Sequence, residues 1–157
     1  MMIDYLYQDE ITIFNRCEED GSIIWIPHKL KNVHCWGSSG TRTGTQGDSA
    51  MDNYTVNIRY IGSPESPEID SLIYLQPKKF KRLDSTEAEK YITFASGDMF
   101  DFFIKGNLEE FDGKISDDDY FHSGGFFNYM NHKYDDVYAI TSCSQSRFLP
   151  HFTVSGR

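Results

Sequence analysis

The sequence predicts a mainly β protein, a small β-barrel or sandwich of about eight strands with long loops and at most one short helix. Aromatic residues make up 15% of the 157 residues. Many of them stand in short runs bounded by Gly, Asn, Asp or Pro, which is typical of strands and turns. Residues 54–60 alternate strictly between apolar and polar side chains, the pattern of a half-buried strand.

Four strands are predicted in the first part of the chain. Residues 11–16 and 23–26 form a hairpin around an acidic turn, and Pro27 ends the second strand because proline cannot donate to a ladder. Residues 30–36 form the next strand. Residues 53–61 follow as the clearest strand, because the alternation there is unbroken.

The middle of the chain predicts a break and the one short helix. Two prolines within 62–67 interrupt the sheet, since each removes a donor and restricts its own backbone. A short strand is expected at 71–75. Asp84 followed by Glu87 fits a helix N-cap with a glutamate three residues on, so 85–90 is predicted to form one or two helical turns.

A second hairpin is predicted from residues 91–94 and 99–105. In its second strand Phe100, Phe102 and Ile104 share one face, which we expect to point into the core. The last two strands are then predicted in the C-terminal region, after a long irregular segment.

That irregular segment, 107–136, is acidic and aromatic and shows no clean period. We expect four of its aromatic residues to dock on another surface, which the sequence does not specify: Phe121, Phe126, Phe127 and Tyr129. Residues 137–143 and 151–154 supply the closing strands, with Pro150 in their connection.

The glycine-rich stretch "GSSGTRTGTQG" does not predict a phosphate site. A P-loop requires a lysine and a hydroxyl after its last glycine, and none of Gly37, Gly40, Gly44 and Gly47 is followed by such a lysine. A dinucleotide-binding turn opens a helix, whereas a strand follows here. Small polar residues bury little apolar surface, so we predict a mobile loop over about 37–52.

We expect a single β-barrel domain over 1–157, with long loops at about 37–52, 62–90 and 107–136. The net charge of −9 argues against a nucleic-acid-binding surface. One basic cluster surrounds Phe80, and we interpret it as a solvated turn rather than a phosphate contact. Its members are Lys78, Lys79, Lys81 and Arg82.

Cys17, Cys35 and Cys143 are odd in number and lack paired spacing, so we expect reduced thiols in the cytoplasm rather than disulfides or zinc. The acidic N-terminus is unlike a signal peptide, and no apolar run approaches about 18 residues. We therefore expect a protein that is made and used without crossing a membrane.

No catalytic residue, metal site or cofactor is predicted. An EF-hand around Asp112 would place Leu108 at the first ligand position, and leucine cannot bind calcium. His122 and His132 lie near several aspartates, but their spacing matches no strong metal motif. A looser cation site and a small metal-dependent hydrolase remain weaker alternatives.

The sequence also contains no motif that indicates nucleophilic catalysis. A thiol could pair with His28, His34 or His151, yet the sequence contains no Gly-x-Ser-x-Gly elbow. His34 and Cys35 are neighbours in a predicted strand, so their side chains should point to opposite faces.

The order of strand motifs resembles the head-tail joining, or head-closure, proteins of long-tailed bacteriophages, and also uncharacterised prophage proteins of the connector gene block. The motifs are "DEITIFNR" (9–16), "VHCW" (33–36), "YTVNIRY" (54–60), "SGDMFDFFIKG" (96–106), "VYAITSC" (137–143) and the C-terminal "HFTVSGR". The likeness covers most of the chain, but the insertions near 63–90 and 107–136 depart from the compact family pattern.

The resemblance implies a small β-barrel that assembles into a homo-oligomeric ring at the neck of the virion. Its partners would be the portal or adaptor and the tail completion protein, and it would reside in the host cytoplasm during assembly. No catalytic residue comes with the resemblance. By position, the loop that contacts neighbours would contain Gly37, Gly40, Arg42, Gly44 and Gly47.

An acidic inhibitor of the DNA-mimic type is the alternative that remains open, because net charge and phage-like character suit it. A mimic should present its carboxylates in rows, whereas the acids here collect at 18–20 and 117–119. That distribution favours the neck protein.

Overall fold

The computed structural model describes residues 6–38, 41–44, 47–50 and 53–157. Its strands are β1 (Asp9–Glu19), β2 (Ser22–Ser38), β3 (Thr41–Gly44), β4 (Gly47–Ala50), β5 (Asn53–Arg59), β6 (Ile61–Ser63), β7 (Ser66–Ile69), β8 (Leu72–Tyr74), β9 (Tyr91–Ile92), β10 (Phe102–Lys105), β11 (Ile115–Ser116), β12 (Val137–Ser146) and β13 (His151–Gly156). Its α-helices are α1 (Pro77–Phe80), α2 (Ser85–Ala88) and α3 (Phe126–Lys133), and a 3-10 helix spans Asp117–Ser123.

Six strands close into an antiparallel barrel in the order β1-β10-β12-β13-β5-β2, because β2 pairs back with β1. The prediction of a mainly β fold with a small barrel is confirmed. Closure leaves the barrel ladder without an open edge strand. The strands outside the barrel are short, and several lie in segments that were predicted as loops.

Strand β2 continues through Pro27, so the prediction that the proline ends it is wrong. Pro27 pairs with Phe14 of β1. On the other side of β2, β11 pairs with Ile24 and Trp25 and β5 pairs from His34 onward. The described strands thus leave Pro27 with one strand neighbour, and a proline is tolerated where the missing donor faces no ladder.

A bulge then redirects β2 around the barrel. The register shifts between the pairs Asp9–Val33 and Ile11–Leu30, which places one extra residue in β2. Asn32 there has a φ of 57°, a left-handed conformation that asparagine tolerates better than most residues. Beyond the bulge β2 pairs with β5, so one strand of 17 residues joins both neighbours.

The barrel interior is a largely aliphatic core. Its buried residues are Ile11, Ile13, Leu30, Val33, Val56, Ile58, Tyr60, Ile69, Ile92, Phe94, Phe103, Ile140, Phe152 and Val154. They come from six barrel strands and from the small sheet packed beside them, so this core requires contacts between residues far apart in sequence.

A second, aromatic core lies on the opposite face of β1 and β10, and we call it the outer core. Its buried residues are Phe14, Trp25, Phe102, Ile104, Ile115, Phe126, Met130 and Val137. Phe14 stacks on Phe102 with ring centroids 4.8 Å apart, and Phe126 meets Phe14 edge-on at 5.3 Å. The predicted face of β10 is therefore buried, but outside the barrel, while Phe103 fills the barrel.

The segment 107–136 covers the outer core. It holds β11, the 3-10 helix and α3, so its prediction as an irregular excursion is only partly right. Phe126 is buried, and Phe127 and Tyr129 pack against the outer core, as expected. Phe121 is 77% exposed, so it does not dock within the chain, and its expected docking stays a prediction.

The region 61–92 forms a four-stranded sheet in the order β6-β7-β8-β9. The predicted break at 62–67 is wrong, because Ser63 and Ser66 close a hairpin around the first proline and Pro67 pairs with Gly62. The predicted helix is confirmed as α2, where the Asp84 side chain accepts from the Glu87 amide at 2.8 Å. The structure adds α1 and α3 to it.

The predicted hairpin between 91–94 and 99–105 is wrong. Strand β9 pairs in parallel with β8, whereas β10 pairs with β1 and β12. Between them, the buried Asp101 side chain accepts a hydrogen bond from the Ala95 amide at 2.8 Å. The two predicted closing strands are confirmed as β12 and β13, and the structure shows that they pair with each other.

Candidate docking surface

The turn between β12 and β13, residues 147–150, presents two large apolar side chains to solvent. Phe148 is 81% exposed and Leu149 is 53% exposed. Apolar side chains are unusual at hairpin tips, where polar and glycine residues normally satisfy the backbone. Exposed apolar groups that cluster on a surface commonly mark contact sites.

Three hydrogen bonds connect the residues of this turn to each other and to Tyr60. The Ser146 hydroxyl donates to the Phe148 carbonyl at 3.0 Å, and His151 Nδ1 lies 2.7 Å from the Leu149 carbonyl. The Tyr60 hydroxyl donates to the Ser146 carbonyl at 3.0 Å. Leu149 adopts a φ of 46°, which is costly for a non-glycine residue and persists only where the surroundings impose it.

An open cavity of about 410 Å³ lies beside the turn. Its apolar wall includes Ile58, Tyr60, Ile69, Leu149 and Pro150. The bulge of β2 forms the opposite side, so the cavity lies where β2 leaves β1.

The rim of the cavity is polar and ordered. Arg59 lies over the Tyr7 ring, with its guanidinium carbon 4.2 Å from the centroid. The Lys31 amide donates to the Asp70 carboxylate at 3.3 Å. Ile61, also at the cavity, is 71% exposed. The turn and the cavity together offer an apolar centre with a charged rim, the usual anatomy of a protein contact site.

The glycine stretch was predicted to be a loop that contacts neighbouring subunits, but its described residues lie in strands. Gly37 lies in β2, while β3 and β4 pair with each other in a hairpin that contains Arg42, Gly44 and Gly47. Gly40 lies outside the described residues. A Cβ on Gly37 would lie 2.6 Å from the Tyr54 ring, so close packing explains this glycine.

The cysteine thiols are held in their protonated forms. Burial raises the pKa of Cys17 to about 11 and the pKa values of Cys35 and Cys143 to about 12. All three are free thiols. Because the thiolate is the nucleophile, these environments suppress reactivity.

His28 and His34, two of the histidines considered as bases for these thiols, lie in different surroundings. Burial lowers the pKa of His28 to about 4. As predicted, His34 and Cys35 lie on opposite faces, since His34 packs on Trp36 and Cys35 packs on the barrel core. Among the described residues, no group of three His, Cys, Asp or Glu side chains could hold a metal ion, so His122 and His132 gather no ligand set there.

Asp101 and Lys81 form the most deeply buried ion pair found in the described part of the chain. Their charged atoms lie 2.7 Å apart, and Asp101 is fully buried. Burial raises the pKa of Asp101, while the Lys81 ammonium and two backbone amides oppose that shift. Lys81 belongs to the basic cluster around Phe80. The ion pair therefore holds this cluster against the start of β10.

Sequence reasoning missed the turn at 147–150 and its cavity. One signal was present: "SRFLPH" places two large apolar residues between strands where a polar turn is usual. The cavity had no local signal, because its walls come from β2, β5, β7 and the 147–150 turn.

These features define a small closed β-barrel protein with an exposed apolar turn beside an open cavity. The chain belongs to DUF6751, a family of unknown function, whose family model matches residues 6–157. No curated protein and no solved structure matches the chain. None of these comparisons links it to phage connector proteins, so that resemblance stays a prediction. No helix within the described residues is long and apolar enough to span a membrane.

Proposed function

We propose that the chain is a structural virion protein of the head-tail neck of a tailed phage or prophage, acting by ring assembly and docking. The observation that carries this proposal is the hydrogen-bonded 147–150 turn, where Phe148 is 81% exposed beside an open cavity. A preorganised apolar anchor loses little conformational freedom on binding, so it suits docking to another protein.

The barrel supports the same function. A closed barrel has no edge strand at which neighbouring copies could pair without control. Specific contacts therefore come from its turns and added segments. The sequence motifs that resemble head-closure proteins at 9–16, 33–36 and 54–60 belong to barrel strands β1, β2 and β5, apart from the end of the last motif.

The charge of the chain also suits a position near packaged DNA. A net charge of −9 repels phosphates, so DNA would pass the ring without adhering to it. The DNA-mimic alternative has less support, because the carboxylates of the three aspartates at 117–119 do not all point to solvent. Asp117 turns inward and accepts from Trp25 Nε1 at 2.9 Å.

The test is genetic complementation in a phage or lysogen that encodes the chain. Deleting the gene should yield separate DNA-filled heads and free tails in electron micrographs, and wild-type protein should restore joined particles. Phe148→Asp should fail to restore them. Ser144→Asp is the matched control, because it adds the same charge at an exposed position of β12.

Joined, infectious particles from the deletion strain would overturn the neck function. Restoration by Phe148→Asp equal to wild type would overturn the assignment of the 147–150 turn as the docking surface. The chain should also be found in purified particles by mass spectrometry.

A further inference from the structure

A second cavity, of about 330 Å³, lies between α1 and the turn at 95–99, and we call it the basic pocket. Its walls are Pro77, Lys78, Lys81, Arg82, Ala95 and Met99, with Ser96 at the edge. Three of these residues are cations and none is an acid. In a chain with a net charge of −9, this is a local reversal of sign.

The pocket is rigid at its base. Lys81 Nζ donates to Asp101 Oδ1 and to the Arg16 carbonyl, each at 2.7 Å. Asp101 also accepts from the amides of Arg16 and Ala95, so three donors inside the protein hold its carboxylate. Asp101 therefore compensates Lys81 and leaves the rest of the pocket positive.

Lys78 and Arg82 supply that remaining positive charge. Both are exposed, and within the described residues neither forms an ion pair. Pro77, Ala95 and Met99 add an apolar floor between them. The pocket therefore suits a ligand that combines an apolar group with negative charge.

The same chain carries such a ligand on the 3-10 helix Asp117–Ser123. We call Asp118, Asp119 and Phe121 the acidic knob. Phe121 is 77% exposed, and both aspartates are exposed. A phenyl ring next to two carboxylates matches the pocket in polarity and in charge.

Neighbouring residues anchor the knob from below. The Asp117 carboxylate accepts from Trp25 Nε1 at 2.9 Å and from the Phe126 amide at 2.8 Å. The Tyr120 ring packs on Phe126 and Tyr129, with centroids 4.9 and 4.6 Å away. Phe121 is thus the one aromatic residue of this helix that points away from the outer core.

We propose that the basic pocket receives the acidic knob of a second copy of this chain. The Phe121 ring would lie on Pro77 and Met99, since a thioether packs favourably against an aromatic ring. Lys78 and Arg82 would face Asp118 and Asp119. Complementary charge at this contact opposes the general repulsion between two acidic copies.

The knob and the pocket share no residue, so each copy can donate one and accept the other. Such a head-to-tail contact generates a ring where the rotation closes. The inference deepens the proposed function by naming the contact between copies, and only the role of the ring rests on that function.

The test measures self-association of the purified full chain by sedimentation over a wide concentration range at low and high salt. Wild type should associate, and more weakly at high salt. Arg82→Glu and Asp119→Lys should each weaken association by roughly tenfold or more. Mixing the two variants should restore it, because each reversed charge meets a reversed partner.

Lys90→Glu is the matched control, since it changes the net charge as Arg82→Glu does at an exposed site away from the pocket. It should associate like wild type, and circular dichroism should show all variants folded. A strictly monomeric wild type, unchanged association of Arg82→Glu, or a mixture that stays dissociated would each overturn the contact.

The self-association test can contradict the knob and pocket contact without contradicting the proposed neck function. Association that survives both charge reversals would overturn the knob and pocket while ring assembly stands. The complementation test at Phe148 reports on the neck function independently, because that residue belongs to neither surface.

Discussion

The barrel interior and the outer core differ in how each is held together, although they share strands β1 and β10. Adjacent residues show the contrast: Phe103 fills the barrel, and Phe102 packs outside it. The interior is enclosed by a continuous antiparallel ladder. The outer core is covered by 107–136, whose only strand, among the described elements, is the two-residue β11.

The outer core compensates for its short ladder with aromatic packing and one polar anchor. Trp25, Phe102 and Phe126 meet with centroids 5.0 to 6.4 Å apart. Large rings bury much apolar area per residue, so few side chains suffice to hold a cover that has little regular structure. The contrast teaches that a continuous ladder encloses the barrel, whereas ring packing and a few polar contacts hold the cover.

The largest expected effect tests whether the outer core and its cover unfold independently of the barrel. Phe103→Ala and Phe126→Ala should each cost about 3–5 kcal/mol, because both rings are fully buried. In hydrogen exchange, Phe126→Ala should expose amides of 107–136 first and leave those of β5 and β13 protected. Phe121→Ala, at an exposed ring, is the control and should change stability by less than about 0.5 kcal/mol.

Loss of protection in 107–136 and in β5 at the same rate in Phe126→Ala would break the comparison. The two cores would then unfold as one cooperative unit.

The next largest effect is a dependence of the free energy of unfolding on pH. It arises from His28 in β2, a strand that contributes to both cores. Burial lowers the pKa of His28 from 6.5 to about 4, so the unfolded chain binds this proton more readily than the folded one. The stability due to neutral His28 is full above about pH 6.5. It should decrease as pH falls toward 4, by about 3 kcal/mol in total.

Denaturant titrations from pH 7.5 to 4 would measure this dependence. His28→Gln should have a shallower pH profile than wild type, and His132→Gln, at an exposed position, should match wild type. Parallel profiles for wild type and His28→Gln would show that His28 does not carry the pH dependence.

A smaller loss of stability is expected when the polar anchor of the cover, Asp117, is removed. Asp117→Ala removes an acceptor shared by Trp25 Nε1 and the Phe126 amide, and it should cost about 1–3 kcal/mol because both donors are left unpaired. Tryptophan fluorescence should shift as well. Asp112→Ala, an exposed acid of the same segment, should be near neutral, and an equal loss there would implicate net charge instead.

The smallest effect lies outside both cores. Phe148→Ser should change the free energy of unfolding by less than about 0.5 kcal/mol, because the ring is 81% exposed. Phe152→Ser, at a buried ring of the barrel, provides the contrast and should be strongly destabilising in thermal melts. A comparable loss in both variants would mean that Phe148 packs on the protein in solution.

Local sequence patterns were sufficient for the parts governed by neighbouring residues. Alternation located β5, and capping chemistry located α2 through Asp84 and Glu87. The closing strands β12 and β13 followed from short apolar runs. A mainly β fold with a small barrel could therefore be predicted from the sequence.

Pairing between distant segments could not be predicted in the same way. Local rules predict a strand end at Pro27, because they cannot show whether a partner strand faces its nitrogen. Residues 91–105 looked like a hairpin, although Asp101 turns inward and β10 joins β1. The cavity beside Phe148 likewise depends on strands that meet only in the folded chain.

Side-chain period and turn chemistry act over a few residues, so the amino-acid order alone determined a β-rich, acidic, aromatic chain with one capped helix at α2. Tertiary packing decided which face of each strand is buried, because burial depends on what covers the strand. It directed Phe102 and Phe126 into the outer core and left Phe121 and Phe148 in solvent. Those four residues belong to one amino-acid type, and long-range contacts alone separate the structural rings from the exposed ones.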